Sequence, residues 1–230
     1  MSELLKLYGI GEKTAQQIEQ QFGLQNKSEA QIRSILLKPD NFNKLPVLIK
    51  ADLMHKPHKR VPRDAIFQVE LELERYLAGI KFNIAGSYRR GRQFSRDIDL
   101  LISQGNYKSA ETLWSRITKL LNRSKKIKLL KPYQTGSARY TLVIKLNNWR
   151  IKTDVFITQP DEYIFALLYA TGSGAFNMIM RAQAKRKGYL LNQKGLYNRQ
   201  TGRPIQITTE KDIFRKLNMR YRTPAERDIK

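Results

Sequence analysis

The segment Asp97–Ile98–Asp99–Leu100–Leu101–Ile102 is the tightest constraint on what this chain can fold into. It reads as a strand, and alternate strand side chains share a face, so Asp97 and Asp99 point one way while Ile98, Leu100 and Ile102 point the other, into a core. A second strand, Ile151–Lys152–Thr153–Asp154–Val155–Phe156–Ile157, carries a third carboxylate. If the two strands are neighbours, Asp97, Asp99 and Asp154 meet. Clustered carboxylates repel, and burial near one another raises their pKa values. Arginine partners relieve this, and divalent ions relieve it better, since Mg2+ takes carboxylate oxygens together with substrate phosphates. A lone Asp-x-Asp is ordinarily a solvated edge. Here Gly86–Ser87–Tyr88–Arg89–Arg90–Gly91 stands just upstream and turns the reading toward catalysis. Gly86 and Ser87 offer a backbone N–H and a hydroxyl to a phosphate oxygen, and Arg90 offers a planar fork. Arg89 either does the same or pairs with a surface acid.

Period-two patterning covers 81–87, 97–103, 139–146 and 150–157, with a helix at 109–121 between. Elsewhere the period is helical: 13–22, 28–37 with Ser28 as N-cap, 63–78, 161–170, 174–187 and 210–217. Ile66, Val69, Leu73, Tyr76 and Leu77 give the helix at 63–78 its core face. The segment His55–Pro62 breaks the pattern, and Leu190–Pro204 reads as a short hairpin. The prediction is an α+β fold in three parts: a helical part over 1–60, a mixed sheet over 61–159 and a small α+β part over 160–230.

Forty-three Lys and Arg against 20 Asp and Glu leave a net charge of +23. Repulsion on this scale opposes compaction, and a polyanion offsets it. Aromatic residues interleaved with the basic ones favour nucleic acid over anionic lipid. With no Cys, a disulfide framework and a thiolate zinc site are excluded. His55 and His58 are too few to found a metal site. No signal peptide is expected from Met1–Leu7, and no apolar run reaches the ~18 residues that span a membrane.

Leu5–Lys6–Leu7–Tyr8–Gly9–Ile10–Gly11, ahead of Lys13–Thr14–Ala15, resembles a helix-hairpin-helix motif that holds the DNA backbone. Glycine permits a tight turn, and N–H groups beside a helix start suit a phosphate. The bland alternative is a helix corner punctuated by glycine. The resemblance implies Gly9 and Gly11 against DNA, and carbonyls of Leu5, Leu7 and Ile10 around a monovalent cation, Na+ or K+.

The C-terminal third is more specific. Tyr169–Ala170–Thr171–Gly172–Ser173–Gly174–Ala175–Phe176–Asn177, Arg181–Ala182–x–Ala184, Lys187–Gly188–Tyr189–x–Leu191–Asn192, Thr209–Glu210–Lys211–Asp212–Ile213–Phe214 and Tyr221–Arg222–x–Pro224–x–Glu226–Arg227 resemble the family X DNA polymerases, the DNA polymerase beta family. The likeness runs along essentially the whole chain and extends to small reparative polymerases of large DNA viruses. It implies a nucleotidyltransferase palm with a mixed sheet at 61–159, a helix-hairpin-helix subdomain at 1–60 and a nucleotide-selection subdomain at 160–230. It also implies a template-directed polymerase that fills short gaps in DNA repair, adding dNTPs to a primer 3′-hydroxyl with release of pyrophosphate.

By the same resemblance, Asp97, Asp99 and Asp154 bind two Mg2+ ions, with Mn2+ able to substitute, and Asp154 takes or orients the hydroxyl proton. Gly86, Ser87, Arg90, Ser95 and Arg96 surround the triphosphate, with Arg60 reaching it from the junction. Tyr169 and Ala170 lie against the sugar, and Thr171 and Gly172 form the turn there. Asn177 reads the minor-groove edge of the base, Arg181 meets the template strand and Lys152 sits near the primer end. The implied partners are gapped or nicked primer–template DNA and a dNTP, bound by a monomer that works inside the cell wherever its DNA lies.

Departures from the family pattern carry expectations of their own. Few residues precede the hairpin, so neither abasic-site lyase nor proofreading activity is expected. Arg96 replaces a glycine, making the phosphate pocket tighter or more cationic. Phe156 stands where polymerase beta has an arginine, and Ala170 where an aromatic is usual, so a looser sugar pocket is expected. Two other functions compete: a nucleotidyltransferase acting on RNA ends, and a DNA-binding module with a decayed catalytic part.

Overall fold

Glycine and serine set the first helix ends. The computed structural model describes residues 4, 11–46, 49, 50, 53 and 60–229, and the chain divides into two units, 1–58 and 59–230. In the first unit, α1 (Glu12–Phe22) stops at Gly23, whose φ of 60° lies in the left-handed region that glycine favours. Ser28 caps α2 (Glu29–Leu36) in a capping box with Gln31. A further helix, α3 (Pro39–Lys44), opens on a proline and has no counterpart among the expected elements. Ala15, Ile18, Leu24, Ile32, Leu36 and Leu45 close a small core.

Of the hairpin expected over 5–11, Leu5, Leu7, Gly9 and Ile10 lie outside the described residues. Gly11 is described, at φ −67° and ψ 155°. That is extended backbone open to any residue, so Gly11 itself does not use the conformational freedom expected of it.

The second unit runs β1 (Val61–Pro62), α4 (Arg63–Tyr76), β2 (Phe82–Ile84), α5 (Gly86–Arg89), β3 (Phe94–Ser95), β4 (Ile98–Ser103), α6 (Ala110–Leu121), β5 (Ile127–Gly136), β6 (Arg139–Leu146) and β7 (Trp149–Thr158). It continues with α7 (Tyr163–Thr171), α8 (Gly174–Arg186), β8 (Tyr189–Leu191), β9 (Leu196–Asn198), α9 (Glu210–Lys216) and a 3-10 turn at Ala225–Arg227. Its five-stranded sheet has the order β2-β4-β7-β6-β5. Only β4 and β7 pair in parallel, so the sheet is mixed, as expected.

Each long strand sorts its side chains by face. Ile98, Leu100, Ile102, Tyr140, Leu142, Ile144, Val155 and Ile157 join Ile66, Val69 and Leu73 of α4 and Leu113, Trp114 and Ile117 of α6 in the main core. Leu101 faces the other way, under Tyr163, Ala166 and Leu167 of α7. Asp99, two residues from Leu101, shares that opposite face.

Three expectations change. The strand expected over 81–87 ends at Ile84, because Gly86 takes φ 56° and turns the chain into α5. β4 begins at Ile98, so Asp97 sits in the bend before the strand rather than inside it. β5 was not expected at all. It is an edge strand whose register shifts between Leu130 and Tyr133, around Pro132, and an edge is where a sheet accepts proline.

The C-terminal part has its own core of Phe165, Leu168, Phe176, Met180, Ala184, Leu196, Ile213 and Phe214. Arg227 is fully buried within this part.

Candidate active site

The parallel register of β4 and β7 sets Asp99 directly beside Asp154. Asp97, in the bend before β4, is close enough to act on Asp99. The Asp99 carboxyl is pushed up to about 7, first by burial and then by the negative charges of Asp97 and Asp154. Arg90 and Lys152 pull it back only in part. On the next strand, Thr141 pairs with Asp154, and its hydroxyl donates to Asp154 Oδ1 at 2.5 Å. Lys152 Nζ stands 3.9 Å from Asp154 Oδ2.

Asp97 and Asp154 thus both act on Asp99, and among the described residues the carboxylates do not close into a three-ligand cage. Asp154 is held by Thr141 and Lys152. The donor set still fits a divalent ion. Three repelling carboxylates, one of them proton-loaded near neutral pH, are what a hard cation neutralises.

Gly86 is forced by this geometry. The Ala85 N–H donates to the Asp99 carbonyl at 2.7 Å, which seats the start of α5 on β4. A Cβ on Gly86 would lie 2.0 Å from Asp99 Oδ2. Only glycine admits both the positive φ and the approach of the carboxylate.

Beyond Asp97 opens a basic cleft. Arg60, Ser87, Arg90, Arg92, Phe94, Ser95, Arg96 and Asp97 line it. The β1–β3 pair assembles it, because Val61 opposite Ser95 brings Arg60 alongside Arg96. The Ser87 hydroxyl donates to Ser95 Oγ at 2.8 Å, joining the α5 turn to that pair. Arg89 is turned away. It makes a bidentate pair with Glu210 at 2.8 and 3.1 Å and reaches Thr171 Oγ1 at 2.7 Å. Of its two expected roles it takes the acid, which proves buried rather than superficial.

A second cleft opens on Asp99. Leu101, Arg139, Phe156, Thr158, Ala166, Tyr169, Ala170, Asn177 and Gln193 complete its lining. Gly172 is needed here too, since an added Cβ would stand 2.8 Å from the Phe176 ring and 2.9 Å from Asn177 Oδ1. Asn177 Nδ2 donates to the Tyr169 carbonyl at 2.8 Å. The Arg181 guanidinium lies 6.0 Å from the Tyr169 ring centre. Asp97 and Asp99 therefore stand where an arginine-lined cleft meets one walled by Tyr169, Ala170 and Asn177.

Comparison with known proteins gives this arrangement a family. Residues 60–162 match the DNA polymerase beta palm, and residues 166–228 match the DNA polymerase beta thumb. The chain belongs to the family X DNA polymerases. It is 31% identical over 189 residues to DNA polymerase lambda of Rattus norvegicus, which covers 74% of this chain and 33% of that protein. It is 33% identical over 142 residues to Repair DNA polymerase X of African swine fever virus (isolate Warthog/Namibia/Wart80/1980), 62% of this chain and 78% of the viral protein. The chain thus spans a third of the rat relative's length.

Within this family X chain, the palm supplies the carboxylates and the arginine cleft, and the thumb supplies Tyr169, Ala170 and Asn177. Phe156 and Ala170 line one cavity and pack on one apolar cluster. Sequence reading missed four contributors. Thr141 fixes Asp154, Arg92 joins the basic cleft, Arg139 stacks at 4.8 Å on Phe156, and Asp228 bonds to both Arg90 and Arg92. Thr141 and Arg139 left a trace, as polar residues in phase with the open face of their strand.

Proposed function

We propose that this chain is a template-directed DNA polymerase that fills short gaps in DNA, using Asp97, Asp99 and Asp154 with two divalent ions. The observation that carries the reading is the junction of two clefts at the carboxylates. One is cationic and suits a triphosphate. The other is walled by an aromatic, a small residue and an amide, and suits a sugar and a base. A DNA polymerase of this family needs both at one reactive phosphorus.

In the reaction proposed, the primer 3′-oxygen bonds to the α-phosphorus of the dNTP, the bond from that phosphorus to the bridging oxygen breaks, and pyrophosphate leaves. The hydroxyl proton passes to Asp154 or to water that Asp154 orients, with Thr141 fixing the carboxylate. Ser87, Ser95, Arg60, Arg90 and Arg96 hold the phosphates from the basic cleft. Tyr169 and Ala170 flank the sugar, Asn177 the base, Lys152 the primer end and Arg181 the template. Magnesium or manganese ions, when bound by the three aspartates, supply activation of the attacking oxygen and neutralisation of the leaving group. A hairpin cation at Leu5, Leu7 and Ile10, with Gly9 and Gly11 on DNA, belongs to the same reading. Neither lyase nor proofreading activity belongs to this reading.

The test is extension of a one-nucleotide gapped duplex with Mg2+, beside single-stranded DNA and RNA ends. Extension of the gapped duplex is expected to dominate, and preference for RNA ends would replace this reading with the nucleotidyltransferase alternative. Affinity should fall steeply with salt, with a slope near −0.9 per phosphate neutralised. A salt-independent affinity would contradict the role given to the charge of +23.

Gly86→Ala provides a local check. Its Cβ would displace the Asp99 carboxylate, so single-turnover extension should drop about ten- to a hundredfold, one to two steps of 1.4 kcal/mol in the barrier. A rate within about twofold of wild type would show that Asp99 need not occupy its observed position.

A further inference from the structure

Asp228 directly follows the 3-10 turn at the end of the thumb, of which only Arg227 is buried, yet it bonds to the palm. Its Oδ1 accepts from Arg90 Nε at 2.9 Å, and its Oδ2 accepts from Arg92 Nε at 2.6 Å. Arg90 Nη1 also donates to the Thr171 carbonyl at 2.9 Å. Both arginines line the basic cleft together with Arg60 and Arg96. Arg227, the residue just before Asp228, is fully buried and bonded to Glu210, which anchors the chain there. Hydrogen bonds from Arg92 and then Arg90 hold the Asp228 carboxyl below the usual range, so it is ionised at working pH.

The atoms used decide what this carboxylate does. A guanidinium carries five N–H donors and can grip an anion end-on through its two Nη groups or side-on through Nε and one Nη. Asp228 takes neither end-on face. It bonds through Nε of both arginines; with Arg90 Nη1 on the Thr171 carbonyl, Arg90 keeps Nη2 for the cleft and Arg92 keeps its Nη groups. Held through Nε alone, this carboxylate leaves the end-on face of Arg92 to a phosphate. It braces both arginines, and it offsets part of the repulsion among four neighbouring cations.

We propose that Asp228 is a positioning residue that aims Arg90 and Arg92 at the polyphosphate of the incoming nucleotide, and that Arg92 is itself a phosphate ligand. The proposal rests on reading the basic cleft as the triphosphate site. It makes nucleotide affinity depend on the C-terminal segment of the thumb. Arg92, with its side chain 46% exposed, has one carboxylate to order it and should depend on Asp228 more than Arg90 does.

Steady-state kinetics on a gapped duplex with the full chain provide the test, using Asp228→Asn, Arg92→Ala, the double variant, Asp228→Glu and Arg60→Ala. Asp228→Asn and Arg92→Ala should each raise KM for the correct dNTP about tenfold, the size of one lost charge-assisted hydrogen bond, with kcat within about twofold. Inhibition by inorganic pyrophosphate should weaken in parallel. The double variant should be no worse than either single one, and Asp228→Glu should restore part of the affinity. A lower KM in Asp228→Asn would mean that the carboxylate competes with phosphate, and would overturn the proposal. Unchanged KM in Arg92→Ala, which alters an exposed side chain and should not disturb folding, would overturn it as well. If Arg60→Ala raises KM while Asp228→Asn and Arg92→Ala do not, only this inference fails. If none of the three moves KM, the triphosphate reading of the cleft fails with it.

Discussion

Asp154→Asn should lower single-turnover extension of a gapped primer about a thousandfold or more. Asp154 sits beside Asp99 in register and is oriented by Thr141. In the reading proposed, losing its charge removes a ligand from the ion site and the group that orients the primer hydroxyl. Ion-stabilised charge in such transition states is worth several kcal/mol, and about 4 kcal/mol corresponds to a thousandfold in rate. DNA affinity should hold or rise, because one fewer negative charge then faces the phosphates. The pair of outcomes separates chemistry from folding: a variant that binds gapped DNA normally and fails to extend it has lost the reaction. Retention of more than a few per cent of the wild-type rate would remove Asp154 from the site.

Glu210→Ala should give the largest stability change away from the carboxylates. Glu210 bridges the fully buried Arg227, at 2.6 Å, and Arg89, at 2.8 Å. Around Arg227 lie the rings of Phe214, Tyr221 and Phe176 at 5.3, 5.7 and 5.8 Å. Without Glu210 that guanidinium stays in an aromatic box with no carboxylate. Stranding one member of a buried pair costs about 3–5 kcal/mol, which at this size lowers Tm by roughly 10 °C. Replacing both partners, Glu210→Leu with Arg227→Met, should recover much of the loss, as expected of coupled sites. Equal melting temperatures for wild type and Glu210→Ala would show that the pair contributes nothing.

The same network predicts a pH response. Burial pushes the Glu210 carboxyl up, but hydrogen bonds from Arg89 and Arg227 more than offset this and hold it below its usual value of 4.5. A carboxyl depressed in the folded state contributes stability above its unfolded pKa and loses it as pH falls through the folded one. The wild-type advantage over Glu210→Gln in melting experiments should therefore be full near pH 7 and shrink below about pH 4.5.

What the sequence revealed divides along physical lines. Asp99 and Asp154 were legible because strand alternation assigns faces without knowledge of the fold, whereas the period-two pattern runs through Gly86 and hides the turn its positive φ makes. Residues that act through distant contacts were not legible. Asp228 lies 138 positions from Arg90, and no local period encodes their meeting. Arg89 and Arg90 look alike in sequence, yet one faces a buried glutamate and the other the cleft, a difference made by where the thumb docks on α5. β5 escaped notice because Lys128, Lys131 and Pro132 break the alternation, which an edge strand tolerates. Asp97 was placed inside a strand, although the bend that carries it is what lets it face the arginine cleft while Asp99 faces the other.

Both clefts and the carboxylates between them make one central claim, template-directed nucleotidyl transfer. The most direct measurement places each of the four template bases in turn opposite a one-nucleotide gap and follows incorporation of each dNTP by the purified chain with Mg2+. The account predicts that the complementary nucleotide is incorporated most efficiently at every template base, and that incorporation stops on chelation of the ion. Incorporation indifferent to the template base, or none on any gapped substrate, would contradict it.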